Sequence, residues 1–333
     1  MISNIQKNHK LVKKEGVEYY TIDGMEQVHA EMLRLLMIID NVAKENGISY
    51  WIASGSMIGV LRHHGFIPWD DDLDIELLKP DYIKLIKCLT EYCDSHNNEF
   101  LYYNYPQNYH CCNFFASREV FVRSQGTANV YPVKVDIRPY NCIKETKESL
   151  DENNRLKDIA NCKIFGKTYG FVEKKDAESL DSTTFFDNYN NKYGFYCPTS
   201  DDCILAPPYF EFSVSFKFKY SNLFPLRKEL FEGIYVPVPN ECDYILSSIY
   251  GDYMKLPKLE HRVPVSCEVY KKHLPLSVVK SHFCSRINNR FLIWIKQLVF
   301  LSRFHSIFSI IKYRFFEKKI SADSNYEESK NEW

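Results

Sequence analysis

The stretch that decides the fold is IPWDDDLDIE, residues 67–76, which places four aspartates within five positions among apolar residues. The apolar flanks predict one β-strand over the whole stretch. Because strand side chains alternate between two faces, Asp70, Asp72 and Asp74 are expected on one face, opposite Leu73 and Ile75. Carboxylates packed this closely repel one another, and burying them without compensation is costly. The pattern therefore predicts a hard-cation site for Mg2+ or Mn2+, ions that also hold substrate phosphates.

Neither a calcium-binding loop nor a solvated loop accounts well for the acidic stretch. Counted from Asp70, an EF-hand loop needs glycine at the sixth position and glutamate at the twelfth, where this chain has Ile75 and Asp81. A solvated acidic loop would not carry so many large apolar neighbours, which call for burial. A buried cation site is the favoured interpretation.

A second feature lies just before the aspartates. Ser54, Gly55 and Ser56 form a predicted turn between a strand at 48–53 and a short helix that begins at Met57. A turn that opens a helix presents free backbone N–H groups at a positive dipole end, so these residues are predicted to hold a phosphate oxygen. Arg62 on the same helix is a candidate clamp for donor phosphates, because its guanidinium is forked and always charged; a surface arginine is the alternative.

A third acid is expected on a neighbouring strand, because two carboxylates hold a metal pair incompletely. Asp136 in VKVDIRPY, residues 133–140, is an acid inside an otherwise apolar strand. Left unpaired in a core it would be expensive, so a metal or an arginine must satisfy it. We favour a metal ligand or general base, and an ion pair with Arg138, two positions on along the same face, is the alternative.

The composition indicates a soluble globular protein. Of its 333 residues, 45% are hydrophobic and 26% are charged, and the formal net charge of -1 gives no reason to expect nucleic acid as a partner. Eleven cysteines without a CxxC pair predict reduced thiols in a cytoplasmic protein. The first residues lack the apolar core of a signal peptide, and no run of 18 apolar residues predicts a spanning helix.

Apolar periodicity and turn residues organise the rest of the chain. The predicted domains are a flexible lead-in over 1–20, a catalytic domain over 21–275, a basic amphipathic helical segment over 276–320 and a disordered tail over 321–333. The basic segment is expected to contact the cytoplasmic membrane face peripherally or to pack on the domain. Within the catalytic domain we predict helices at 24–46, 80–93 and 241–250, strands at 100–105, 113–122, 131–139 and 210–220, helices and loops over 144–200, and a turn-rich block over 223–239.

Three separated blocks resemble one known family. The block SGSMIGVLRHHGFIPWDDDLDIELLKPDYIKL at 54–85 resembles the signature of the LicD family, which includes phosphocholine transferases and resembles fukutin and fukutin-related protein. VDIRPYN at 135–141 is similar to the second family block, with Arg138 where an aromatic residue is more usual. Residues 223–262 are similar to the C-terminal block, which includes Tyr250, Gly251 and Asp252.

The resemblance implies an α+β fold, a nucleotidyltransferase-like mixed β-sheet flanked by helices, with a helical and loop elaboration and a C-terminal amphipathic helix. It implies transfer of a phosphoalcohol, such as phosphocholine, from CDP-choline or another CDP-alcohol to a hydroxyl of a glycan or glycolipid. The implied roles are a metal pair (Asp72, Asp74), a third acid (Asp136), a phosphate-side turn (Gly55, Ser56) and a donor pocket (Tyr250, Gly251, Asp252). The alternatives are an Asp-x-Asp glycosyltransferase that uses a nucleotide-sugar, and an inactive membrane-associated assembly factor.

Overall fold

The computed structural model describes residues 8–96, 98–103, 113–125, 130–144, 146–148, 151, 203–206 and 218–275. Its strands are β1 (Lys10–Lys14), β2 (Val17–Thr21), β3 (Trp51–Ile52), β4 (Asp74–Leu78), β5 (Glu99–Tyr103), β6 (Asn113–Ser124), β7 (Val130–Lys144), β8 (Cys203–Ala206), β9 (Phe218–Lys219), β10 (Arg227–Phe231), β11 (Ile234–Val238) and β12 (Ser266–Lys271). Its helices are α1 (Met25–Glu45), α2 (Ser54–Ile58), α3 (Lys79–Ser95), α4 (Tyr220–Leu223) and α5 (Cys242–Tyr250), with a π-helical turn at Gly59–His63 and a 3-10 turn at Leu259–His261.

The long helix α1 follows directly from its sequence pattern. Its apolar residues recur every three or four positions, and Val28, Met32, Leu35 and Ile39 are fully buried. The helix ends at Glu45, and Gly47 takes a positive φ of 61° just beyond it, as predicted from the glycine there.

The central sheet is mixed, as the predicted α+β class requires. Its strand order is β12-β6-β7-β4-β3, with β5 also paired to β6, and β8 paired to β7 and β9. Strands β4 and β7 run parallel, whereas the other pairs are antiparallel. Their apolar side chains, Ile75, Leu77, Val135 and Ile137, are fully buried. Helices α1 and α3 pack against β7, so one face of the sheet forms the core and the polar residues of β4 and β7 lie on the other.

Three predictions about local structure were wrong. Residues 10–21, which overlap the lead-in predicted over 1–20, form the hairpin β1–β2, because Glu15 and Gly16 take the positive φ angles of a tight two-residue turn and Tyr19 is buried. The turn-rich block contains a second hairpin, β10–β11, with positive φ at Glu232 and Gly233. Residues 67–73 are not strand: Asp70 N donates to Ile67 O at 2.8 Å in a turn, and β4 begins only at Asp74.

Several predictions fall outside the described residues. They are the helices and loops of 152–200, most of the 210–220 strand, the basic segment from 276 to 320 and the tail from 321 to 333. Of the predicted 210–220 strand, Phe218 and Lys219 form β9 and Tyr220 begins α4. In the part of the chain that the structure describes, no helix is both long and apolar enough to cross a membrane.

Candidate metal centre

Three carboxylates converge at the edge of β4 and β7. Asp72, Asp74 and Asp136 each place an oxygen within 4.8 Å of the others, which is close enough for one cation to bind all three. Asp74 and Asp136 are buried, whereas the side chain of Asp72 is 49% exposed and gives the cluster an open side. The structure therefore brings together the three acids that the sequence singled out.

The parallel pairing of β4 and β7 creates this convergence. Asp74 and Asp136 are register partners, and Asp136 N donates to Leu73 O at 2.8 Å at the start of the pairing. On the opposite side of Asp74, its backbone N–H donates to Ser56 Oγ at 2.9 Å. The two strands and the helix α2 thus fix the backbone of Asp74 from both sides.

Two basic side chains from β7 flank the carboxylates. Arg138 Nη2 lies 2.8 Å from Asp74 Oδ1 and 3.5 Å from Asp136 Oδ2, so the predicted ion pair with Asp136 is present but the closer partner is Asp74. Lys134 Nζ bonds Asp136 Oδ1 and lies 3.9 Å from Asp72 Oδ1. The same ammonium sits 4.4 Å from the centre of the Phe114 ring, which orients it toward the acids.

Burial raises the pKa values of the central acids. Desolvation is the largest cause for Asp74, where Asp72 and Asp136 add repulsion and Arg138 opposes them. Desolvation also raises the pKa of Asp136, against the favourable charge of Lys134. Ionised carboxylates in this position need positive charge beyond what their protein neighbours supply, and a bound divalent cation would supply it.

One buried atom supports a metal ligand directly. Among the described residues, Asp74 Oδ1 is the buried side-chain oxygen that receives no hydrogen bond. Arg138 Nη2 lies 2.8 Å from it, at ion-pair distance. An oxygen held in the interior with an unused lone pair fits a metal ligand, and three carboxylate oxygens fit Mg2+ or Mn2+.

The predicted phosphate turn lies beside the cluster. Ser54, Gly55 and Ser56 form the first turn of α2, and Ser54 takes a positive φ of 51°. Ser54 Oγ accepts a bond from Arg138 Nη1 at 3.4 Å, while Ser56 Oγ is occupied by the Asp74 N–H. A Cβ on Gly55 would lie 3.4 Å from Asp70 Oδ2, so the turn also adjoins the first acid of the acidic stretch.

The remaining predicted site residues, Tyr250, Asp252 and Arg62, lie in three different environments. Tyr250 lies near the acids and Ser54: partial burial, Asp74 and Glu76 raise its pKa to about 12. Asp252 is exposed, and its carbonyl accepts the Lys255 N–H in a turn.

Arg62, the predicted phosphate clamp, donates to the carbonyl oxygens of Tyr253 at 2.6 Å and Lys255 at 3.4 Å. These bonds tie the helical segment after the phosphate turn to the loop that follows α5.

Asp70 and Asp71, the first two aspartates of residues 67–76, lie in different environments. Burial, reinforced by Asp72 and Asp71, raises the pKa of Asp70 to about 7, and its carbonyl accepts a bond from His29 Nε2 at 2.8 Å. Asp71 accepts the backbone N–H groups of Val265 and Ser266, so it fastens the loop to the start of β12.

Sequence reasoning missed Glu76 and Lys134. Glu76 continues the two-residue period of Asp72 and Asp74, and Lys134 precedes Asp136 by two positions, so strand alternation alone places both on the acid face. Burial raises the pKa of Glu76 to about 7, although Trp51 Nε1 donates to it at 3.2 Å and Tyr140 is also hydrogen-bonded to it.

Comparison with known proteins places this site in a family. The family model described as LicD/FKTN/FKRP, nucleotidyltransferase domain, matches residues 47–158, a range that contains all three converging acids. The lipopolysaccharide cholinephosphotransferase LicD of Haemophilus influenzae is 26% identical over 246 residues, which are 70% of this chain and 92% of that protein. The chain thus resembles the LicD family in the region that holds the candidate site.

Two shorter similarities are to uncharacterised proteins. An uncharacterised protein of Rickettsia prowazekii is 37% identical over 78 residues, or 23% of this chain and 29% of that protein. An uncharacterised protein of Rickettsia typhi is 34% identical over 86 residues, or 26% of this chain and 24% of that protein. The chain therefore spans under a third of the Rickettsia proteins that it matches, but nearly the whole of the Haemophilus protein.

Proposed function

We propose that this LicD-family protein transfers a phosphoalcohol, with phosphocholine as the leading candidate, from a CDP-linked donor to a hydroxyl of a cell-surface glycan or glycolipid, with Mg2+ or Mn2+ as cofactor. The observation that carries the proposal is the convergence of Asp72, Asp74 and Asp136 on one open cluster. The similarity to a lipopolysaccharide cholinephosphotransferase over 92% of its length supports the choice of phosphoalcohol and acceptor. We expect the transfer to take place on the cytoplasmic side of the membrane.

The three acids have overlapping roles: all three would bind the cation, and Asp136 would also act on the acceptor hydroxyl. Asp72, Asp74 and Asp136 would hold the cation, which when bound neutralises charge on the donor diphosphate and on the leaving CMP. Asp136 also orients the incoming glycan hydroxyl and accepts its proton as the new oxygen–phosphorus bond forms and the bond to CMP breaks. Lys134 and Arg138 hold the acids in place and present positive charge to the phosphates.

The surrounding residues position the donor. The backbone of Ser54, Gly55 and Ser56 would face the phosphates, and Ser56 supports Asp74 through its bond to the Asp74 N–H. Tyr250 closes the donor pocket near Ser54, and Asp252 shapes the loop behind it. Arg62 would steady the diphosphate from the loop that it anchors at Tyr253.

The test supplies purified protein with Mg2+, a glycolipid acceptor and a panel of labelled donors: CDP-choline, CDP-ribitol and UDP-sugars. We expect label transfer from a CDP-alcohol and its loss in Asp72→Asn and Asp74→Asn, each with an unchanged circular dichroism spectrum. Asp23→Asn is the matched control, because Asp23 is exposed and pairs only with Lys10 in the described structure. Near-normal turnover in both acid variants would overturn the metal assignment, and transfer from a UDP-sugar would overturn the reaction class.

A further inference from the structure

The ammonium group of Lys134 lies against two members of the acid cluster. Its Nζ bonds Asp136 Oδ1 and lies 3.9 Å from Asp72 Oδ1, and both acids belong to the set that would hold the metal. Lys134 and Asp136 are two positions apart on β7, so they share one face of the sheet. A cation bound by the three acids would therefore lie close to this ammonium, and like charges at short range repel each other.

The ring of Phe114 helps to hold the ammonium in this place. Phe114 is the register partner of Asp136 on β6, and it is only 6% exposed. Lys134 Nζ lies 4.4 Å from the centre of the ring, a distance at which the ring quadrupole attracts a cation. The two strands thus place an aromatic face and a carboxylate beside the same point, which favours a positive charge there.

The net charge of the cluster depends on whether a metal is bound. The three acids carry three negative charges when they are ionised, whereas Lys134 and Arg138 carry two positive charges, which leaves one negative charge. A divalent cation would change this to one positive charge. The metal-free cluster therefore repels a diphosphate, and the metal-loaded cluster attracts one.

Lys134 is better placed than Arg138 to present this positive charge to an anion. Arg138 lies against the buried Asp74 and donates to Ser54 Oγ, whereas a lysine ammonium is a compact charge on a flexible stem. The Lys134 side chain is 24% exposed, and the neighbouring Asp72 side chain, 49% exposed, marks the open side of the cluster. A rotation of the lysine stem therefore moves Nζ from the acids to an anion that enters from this side.

We propose that Lys134 is a donor-binding residue controlled by the metal. In the metal-free protein its ammonium neutralises Asp72 and Asp136 and competes with the divalent cation. When the cation binds, Nζ leaves these acids and binds the phosphates of the nucleotide donor. The second step rests on the proposed function, whereas the competition with the metal depends on the acid cluster alone.

Calorimetric titration of the full-length protein with Mn2+, without nucleotide, tests the competition. Lys134→Met removes the ammonium but keeps an unbranched side chain, and should tighten Mn2+ binding roughly tenfold. Phe114→Leu keeps every charge of the cluster and only weakens the hold on the ammonium, so it should tighten Mn2+ binding by roughly two- to fivefold. Lys44→Met is the matched control, because Lys44 pairs with Asp40 on α1, and should leave the Mn2+ Kd unchanged.

An unchanged or higher Mn2+ Kd in either cluster variant would overturn the competition. Circular dichroism establishes that each variant is folded. Because Phe114→Leu keeps the ion pairs of the acids, its Mn2+ Kd decides the question if Lys134→Met does not fold.

Titration with CDP in saturating Mn2+ tests the binding of phosphates. Lys134→Met should weaken CDP binding roughly tenfold, Lys134→Arg should retain most of it because the positive charge remains, and Phe114→Leu should leave it unchanged. A residue that only supports the fold would not tighten one ligand and weaken the other. Unchanged CDP binding in Lys134→Met would overturn the donor step. Both shifts in affinity without transfer from any CDP-alcohol would overturn the proposed transfer and leave the role of Lys134 standing.

Discussion

Asp74 and Asp136 are register partners on neighbouring parallel strands, so one backbone pairing brings together carboxylates that lie 62 positions apart (136 − 74). The same register sets Glu76 beside Arg138 one step further along the strands. A single parallel pair therefore builds the acid cluster and also places Glu76 and Arg138 next to it. Substitutions of individual residues on and around this face of the sheet therefore test their roles separately.

Divalent cations should stabilise the protein through Asp74. At a Mn2+ concentration 100 times its Kd, binding would add about 2.7 kcal/mol to the free energy of unfolding. Asp74→Asn removes a ligand and should abolish most of this gain. Thermal melts with Mn2+ and with EDTA measure it, and an equal Mn2+ shift in wild type and variant would contradict the assignment.

Arg138→Gln should destabilise the metal-free protein by about 3 kcal/mol, because it leaves buried Asp74 and Asp136 without their shared guanidinium. Added Mn2+ should recover part of the loss, since the cation compensates the same acids. Arg123→Gln is the control: Arg123 pairs with Glu268 at the partly exposed edge between β6 and β12. Denaturant unfolding with and without Mn2+ tests this, and a loss insensitive to the metal would refute the link.

Ser56→Ala should weaken metal binding without touching a ligand. Its hydroxyl accepts the buried Asp74 N–H, and removing that acceptor costs about 1–3 kcal/mol in the free energy of unfolding. Ser248→Ala, which loses a bond to Tyr244 O on an exposed helix face, should cost much less. Calorimetric Kd values for Mn2+ provide the readout, and equal values in Ser56→Ala and wild type would reject a positioning role.

His29 makes a contribution to stability that mild acidification removes, against the opposite contributions of Asp70 and Glu76, whose pKa values burial raises to about 7. Burial lowers its pKa below the ordinary 6.5, so the unfolded chain takes up a proton that the folded chain refuses. Its contribution is complete above about pH 6.5 and is lost as the pH falls toward the folded-state pKa, with a slope of at most about 1.4 kcal/mol per pH unit.

His29→Gln keeps a donor for the Asp70 carbonyl but cannot titrate, so the difference in stability between variant and wild type should shift in favour of the variant as the pH falls from 7.5 to 5. Urea unfolding at several pH values measures both slopes. His63, whose pKa burial lowers to about 4, remains in both proteins and contributes equally. Identical slopes would exclude His29 as a source of the acid sensitivity.

Much of the architecture was predictable because it depends on local periodicity. The predicted helices at 24–46, 80–93 and 241–250 are confirmed within a few residues as α1, α3 and α5. The hairpins at 10–21 and 227–238 were missed. Their turns contain Glu15 and Glu232 at positive φ angles, a backbone conformation that glutamate rarely adopts and that its side chain does not predict. The strand over 67–76 was predicted too long, because alternating apolar residues also occur in a buried loop.

By itself, the sequence indicated a candidate cation site: clustered acids in an apolar setting call for compensating positive charge, and Asp136 had to be paired with something. Only the tertiary structure decided which groups meet. The β4–β7 register joins Asp74 to Asp136, Arg138 faces Asp74 more closely than Asp136, and Glu76 enters a cleft lined by rings from distant segments. The physical reason is that side-chain periodicity is local, whereas strand partners and register follow from long-range packing of the whole core.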